Sequence, residues 1–268
     1  DQTIDAQKAR AIAGPTDADR IAALAVIAQL NDRGSQGYAL KAIKDAMAGM
    51  PDKSEARAEA AVVARSLEPD EGTAAGAEKA KAEAGILTDV AVLGPFRDTG
   101  GGLEAHDGPE GKKSAAAFGD PNSVYSWGTV EVRWRTVPST FAQARGIPLD
   151  LFVHPRKESC AWIASKITLD AKRSIIVRLG AAGTARLLFD GMDLDKSDDV
   201  HATMRFDRLA AKVEAAAGPH IVAAKICTGA LEDSGRVRLR VTDDKGAPLK
   251  LTASADLTAK DTIPWTPQ

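Results

Sequence analysis

Arg236-Val237-Arg238-Leu239-Arg240-Val241 alternates without a break, arginine on one side and aliphatic residues on the other. Successive side chains of a strand point to opposite faces, so this period of two predicts a half-exposed antiparallel β-strand with its aliphatic side in a core. Similar runs bounded by turn residues precede it at 130–137, 148–152, 160–169, 173–179, 185–189 and 222–227. Asp190-Gly191 and Lys245-Gly246 predict tight turns in which glycine takes up positive φ. Seven or eight strands so joined predict a sandwich or jelly roll over any βαβ arrangement. The run FDRLAAKVEAAA at 206–217 carries enough alanine and charge for a helix, yet Ala211-Lys212-Val213-Glu214-Ala215 alternates; Gly218-Pro219 ends it either way.

Towards the N-terminus the pattern changes near residue 87. The chain has 4 Trp, 2 Tyr and 6 Phe, yet residues 1–86 contain only Tyr38 among them. Alanine and charge dominate there, at helical spacing. Thr16, Asp17 and Asp19 follow Pro15 as a capping-box-like start, after which Ile21, Leu24, Ala25 and Ala28 share a face. A second helix carries Leu40, Ile43 and Met47 before Gly49 and Pro51; a third opens at Asp52 or Ser54 and runs through Val62 and Leu67 to Pro69; a fourth spans about 72–84. Short polar turns between helices predict antiparallel hairpins, arranged as a plain bundle or as a helical repeat. The small alanine faces bury little area, so this segment is expected to lean on the β part. The expected fold class is therefore α+β in two segments: an α-helical bundle or repeat over 1–86, an all-β sandwich over 87–257, and a tail or linker over 258–268.

The β part resembles the galactose-binding-like jelly-roll domains attached to tetratricopeptide-type helical repeats in myxobacterial envelope proteins. Four stretches carry the likeness: Val92-Leu93-Gly94-Pro95-Phe96, Leu187-Leu188-Phe189-Asp190-Gly191, Gly218 to Ile226 (GPHIVAAKI), and Val237 to Asp243 (VRLRVTD). They span about residues 88–250. The resemblance implies a jelly roll that binds carbohydrate or packs against a neighbouring domain. It also implies that 206–215 is loop and strand. Where the family usually has Asn-Gly at the hairpin, this chain has Asp190-Gly191, which preserves the turn and changes the side chain.

Composition narrows the function. At 268 residues, 44% hydrophobic and 27% charged, the whole chain is expected to fold, without need of disulfides or metal. A net charge of −2 and pI near 6.1 supply no field to gather nucleic acid or anionic lipid. No apolar run approaches the roughly 20 residues of a membrane span. The start at Asp1, without methionine, suggests a mature form after signal removal or a cut from a longer chain, and 261–268 reads as a linker. A periplasmic or cell-envelope location is expected, with the cytoplasm as the alternative. Cys160 and Cys227 permit one bridge, with buried free thiols as the alternative.

The search for chemistry is mostly negative. Gly108 to Ser114 resembles a phosphate loop but has His106 where its first glycine belongs and Lys113 where Ser or Thr belongs. Neither a Gly-x-Ser-x-Gly elbow nor a His-Glu-x-x-His helix occurs. Cys160 and His154 are a nucleophile and base only on paper, since Cys160 sits beside Trp162 in an apolar strand. Asp193, Asp195 and Asp199 alternate like the ligands of a calcium loop, but position six is Asp198 and position twelve Met204, so the alternative is a solvated acidic hairpin. Trp127, Trp134 and Tyr125 are the candidate sugar-stacking rings, with Asn122 and Arg133 beside them for hydroxyls; core packing is the alternative role. Trp162 is expected in the core and Trp127 at the surface. The resulting expectation is a non-catalytic binding or scaffolding module of the bacterial envelope, without a cofactor unless calcium binds, whose partner is a glycan or a protein surface. Its rivals are a structural component held through the helices, and an accessory region of a hydrolase.

Overall fold

The computed structural model describes residues 2–31, 36–98, 101–110, 118–120, 123–228 and 233–258. Five helices come first: α1 (Gln2–Ala13), α2 (Asp17–Asn31), α3 (Gln36–Gly49), α4 (Glu55–Leu67) and α5 (Ala74–Ala84). The strands follow: β1 (Val90–Arg97), β2 (Tyr125–Trp127), β3 (Val130–Val132), β4 (Arg135–Val137), β5 (Ile147–Pro148), β6 (Ser159–Leu169), β7 (Arg173–Phe189), β8 (Met192–Ala215), β9 (Gly218–Cys227), β10 (Arg236–Thr242) and β11 (Thr252–Ser254). The protein is thus a helical segment followed by a large antiparallel β-sheet domain.

Local chemistry accounts for the helix starts. The Ser54 side chain accepts from the Arg57 amide and Thr73 from the Gly76 amide, each satisfying one otherwise orphaned N–H of a first turn. Gly85 ends α5 at φ 64°, a left-handed cap. Helix α1 was not expected from the sequence. Its buried residues are Ile4 and Ala11, a stripe too sparse to stand out from an alanine-rich background.

The hydrogen-bonded strand order is β4-β1-β6-β9-β7-β10-β5, with β8 along β7 and β11 along β6. Strand β7 turns this ribbon into two layers. Its residues 184–189 pair with β9 and its residues 176–181 with β10, and its register against β8 shifts between Leu179 and Ala185. What reads as two strands broken by Gly180 and Gly183 is therefore one strand bent between the layers, as bulges allow. The main core fills the space between them, drawing Val92, Ile163, Val177, Leu187, Ala224 and Leu239 among others.

Three expectations need correction. The arginine face of β10 is not half-exposed: Arg238 and Arg240 are each 1% exposed, because α4 and the chain around Ala144 lie over it. The run 130–137 is two strands that pair in different sheets, β3 with β2 and β4 with β1. The run 148–152 ends its pairing at Pro148 and becomes a 3₁₀ turn over Leu149–Leu151. The ambiguous run at 206–215 is the second half of β8, paired with β7 out to Ala215.

The Asp190-Gly191 turn has both residues at positive φ, 51° and 76°. This two-residue geometry matches the twist of the flanking strands. The carboxylate also works: one oxygen accepts from the Ile221 amide at 2.8 Å, the other from His220 Nδ1 at 2.8 Å. An asparagine could keep the bond from Ile221 but would offer His220 Nδ1 an amide donor in place of an acceptor carboxylate.

Candidate functional site

Two regions gather side chains capable of recognition: the hairpin that carries the candidate aromatic rings, and the junction between helices and sandwich.

Among the described residues, strands β2 and β3 pair only with each other, Tyr125 opposite Val132 and Trp127 opposite Val130. They stand over a second apolar layer on the outer side of β1, β6 and β9, built from Leu93, Phe96, Phe118, Cys160 and Trp162. Tyr125 meets Phe96 edge to face at 5.7 Å, and Trp134 packs on Phe118 at 5.6 Å while its indole N–H donates to the Phe118 carbonyl at 3.2 Å. Both rings are half-buried and belong mainly to this layer. Trp127 is also half-buried and packs against this layer, opposite Val130; Val124 and Val130 are 47% and 58% exposed. Arg133 is exposed and pairs with Glu131 at 3.0 Å. Asn122 lies outside the described residues. Trp162 is fully buried.

The rest of this outer face is covered by the protein itself. Lys225, in the middle of the apolar strand β9, is completely buried. Its ammonium donates to the Ala105 carbonyl at 2.6 Å and to Glu110 at 2.8 Å, and lies 5.6 Å from the Trp162 ring centroid. On the adjoining strand Arg186 donates to Glu104 at 2.6 Å. The connection after β1 is thereby pinned across the sheet by two buried cations. Sequence reasoning did not single out Lys225; a lone lysine inside IVAAKIC was the available signal.

The remaining candidates are placed as follows. Cys160 and Cys227 face each other across β6 and β9, and their sulfurs are bonded. With its sulfur in a disulfide, Cys160 has no thiolate for the imagined chemistry with His154. Asp193, Asp195 and Asp199 lie along extended β8, where residues two apart are separated by roughly 6.6 Å. Their carboxylates are not brought together: among the described residues, the single group of three metal-type ligand atoms in mutual reach is Asp98, Cys160 and Cys227, which includes the disulfide. His220 faces acceptors at both nitrogens, Asp190 at 2.8 Å and the Ala216 carbonyl at 3.0 Å. Burial disfavours its charge, but these two hydrogen bonds outweigh it and raise its pKa. Both ring nitrogens are thus engaged by groups of the protein itself, and the side chain is buried.

At the junction, the outer faces of β7, β8 and β10 meet α4. Asp207, at the centre, accepts from Arg240 at 2.6 Å and from Arg178 at 3.4 Å, with Arg238 at 3.6 Å. Arg178 also donates to Glu55 at 2.9 Å, Arg240 to the Ala84 carbonyl at 2.9 Å, and Arg238 to the Ala144 carbonyl at 2.9 Å while lying over the Phe206 ring. The guanidiniums hold the Asp207 carboxyl below its ordinary range against the opposing effect of burial. Glu59 responds the other way. Its burial and the nearby Asp207 charge push its pKa up to about 8, so at neutral pH it is mainly a neutral acid that hydrogen-bonds to Asp207.

No family model and no curated protein matches this chain. Solved structures offer partial likenesses. A β-glucosidase from Kluyveromyces marxianus in complex with glucose aligns with 57% of this chain and 15% of its own, at 10% identity and TM-score 0.34. A GH31 α-xylosidase from Xanthomonas citri aligns with 48% of this chain and 14% of its own, at 16% identity and TM-score 0.31. The chain spans about a seventh of the length of these enzymes, and no helix among the described residues is long and apolar enough to cross a membrane.

Proposed function

We propose that the protein is a non-catalytic binding module of the bacterial envelope, and that the β2–β3 hairpin carries its contact surface for a glycan. The observation behind this reading is the half-exposed Trp127, paired across the hairpin with Val130, which is 58% exposed. A flat indole suits the apolar face of a pyranose. The non-catalytic part of the reading draws on the disulfide at Cys160 and the committed nitrogens of His220. The same bridge favours an oxidising compartment such as the periplasm.

Retention on insoluble polysaccharide, compared between the protein and Trp127→Ala, tests the proposal. The variant is expected to lose retention while staying folded by circular dichroism, with only the fall in melting temperature that losing a half-buried ring entails. Equal retention of the two proteins, or none by either on any polysaccharide, would count against a glycan-binding hairpin.

A second reading, a structural component held through a protein partner, draws on the exposed Val124 and Val130, since an apolar hairpin tip also suits a protein surface. Cross-linking at the hairpin that captures a defined partner, without polysaccharide retention, would favour it.

A further inference from the structure

A cleft of about 550 Å³ opens where the α4–α5 connection, the chain between β4 and β6, and the start of β10 converge. We propose that it is a second binding site, independent of the hairpin, for a neutral sugar residue.

Unmet hydrogen bonding points to a ligand. The Glu71 side chain is 5% exposed. One of its oxygens accepts from the Arg145 amide at 2.9 Å, but Oε2 is buried without a hydrogen-bond partner, and the nearest cation, Arg65 Nε, stands 4.0 Å away. Ser234 also lines the cleft, and its Oγ is likewise buried and unpartnered. Buried polar groups are nearly always satisfied, so two unpartnered polar atoms just behind the wall of one cleft are groups that a ligand hydroxyl reaches by a small side-chain shift. A hydroxyl can donate to Glu71 and either donate to or accept from Ser234.

The charges select against an ionic ligand. Arg145 and Arg236 are balanced by Glu71 and Asp150 around the same space, so neither an anion nor a cation gains net attraction. Both arginines are tethered, Arg145 Nε to the Ser66 carbonyl at 2.8 Å and Arg236 Nη1 to the Gly146 carbonyl at 3.1 Å, which limits the ordering required on binding. Phe141, 41% exposed, supplies an apolar wall and is held edge to face by Phe152 at 5.6 Å. Charged donors and acceptors beside an aromatic ring form the lining that a pyranose with one apolar face requires, and the volume falls within the usual range for small-ligand sites. Because Glu71 comes from the helical segment and the other groups from the β part, the site exists only while the two are docked.

The test uses the full chain labelled with ¹⁵N and titrated at millimolar concentration with lactose, cellobiose and chitobiose. The readout is the amide chemical shifts of Gly72 and Gly146, which sit on two walls of the cleft. At least one disaccharide is expected to shift both amides saturably. Phe141→Ala, at an exposed ring, and Ser234→Ala are each expected to weaken that binding about tenfold, whereas Trp127→Ala leaves it unchanged. Absence of shifts with all three sugars overturns the site. So do shifts that survive Phe141→Ala and Ser234→Ala undiminished, and shifts abolished by Trp127→Ala, which would place the sugar on the hairpin instead.

Discussion

Replacing Glu59 by glutamine should stabilise the protein, and by an amount that grows with pH. With an ordinary pKa of 4.5 when unfolded and about 8 when folded, Glu59 keeps its proton on folding across that whole interval. A carboxyl with a raised folded pKa contributes fully below its unfolded value, and the contribution is lost as pH rises through the folded one. Each pH unit in the window therefore removes about 1.4 kcal/mol from stability through this group. The accumulated loss is about 3 kcal/mol at pH 7 and approaches 5 kcal/mol above pH 8. Glutamine has the shape of the protonated acid. It can donate to Asp207 through its amide and accept from Arg240 through its oxygen, so it keeps the hydrogen bonds and lacks the titration.

Urea denaturation of parent and Glu59→Gln at pH 4, 5, 6, 7 and 8, followed by far-UV circular dichroism, measures the difference directly. Near pH 4 the two proteins should be equally stable to within ~1 kcal/mol. By pH 7 the variant should be ahead by about 3 kcal/mol, less whatever the altered contact with Arg240 costs. A stability difference that does not change between pH 5 and pH 8 would refute a neutral Glu59. A variant increasingly less stable as pH rises would show that the junction needs an ionised carboxylate there.

Three further outcomes follow from the same geometry. Reducing the Cys160–Cys227 bridge, or replacing both residues with alanine, frees a loop with a sequence separation of 67 and should cost about 2–4 kcal/mol in denaturant; an unchanged midpoint would mean that the sheet alone holds the strands. The raised pKa of His220 stabilises the fold fully below about pH 6.5, the ordinary value, and this is lost as pH rises through the raised folded value. Its ring resonances should titrate above an exposed histidine's in the parent and move down in Asp190→Asn, and an unshifted titration would contradict the paired imidazolium. Lys225→Met leaves Glu110 buried without its cation and should destabilise by about 3–5 kcal/mol, most of it recovered in Lys225→Met/Glu110→Gln; no recovery in the double variant would show that the loss is one of packing.

Much of the architecture is legible because its signals are local. The alternation in β10, the apolar run of β6 and the Asp190-Gly191 turn each need no distant partner to be read. Helix α4 announces itself through Ser54 and Pro69. What escapes depends on neighbours distant in sequence. Strand β8 begins as an acidic stretch that does not look like a strand and ends as an alanine-rich one whose composition suits a helix and whose alternation suits a strand, until β7 supplies a ladder along both. Gly180 and Gly183 read as breaks, whereas the bend they permit carries one strand through both layers. At the hairpin, the rings of Tyr125 and Trp134 are visible as aromatic residues, but their commitment to Phe96 and Phe118 is a fact of tertiary packing.

The arginines of β10 show most clearly why period alone could not settle exposure. A period of two separates faces; it does not say what covers the polar one. Water, a helix or a partner chain all produce the same alternation, and the choice among them lies in acids elsewhere: Asp207 on β8, Glu55 and Glu59 on α4. An apolar cluster of Val62, Ala80, Ala84, Ile86 and Ala144, with Phe206 against it, joins the helices to the β part, and ions fill the rest of the junction, because an alanine-rich helix offers little area to bury. Such a junction is more specific than it is strong. A registry error of one residue along β10 would place valine and leucine against Glu59 and leave three guanidiniums in the main core, so the charged face penalises misdocking more heavily than an apolar face would. The helical segment is thus fixed to the sandwich in one orientation, the arrangement a module needs if a cleft shared between the two parts is to keep its shape.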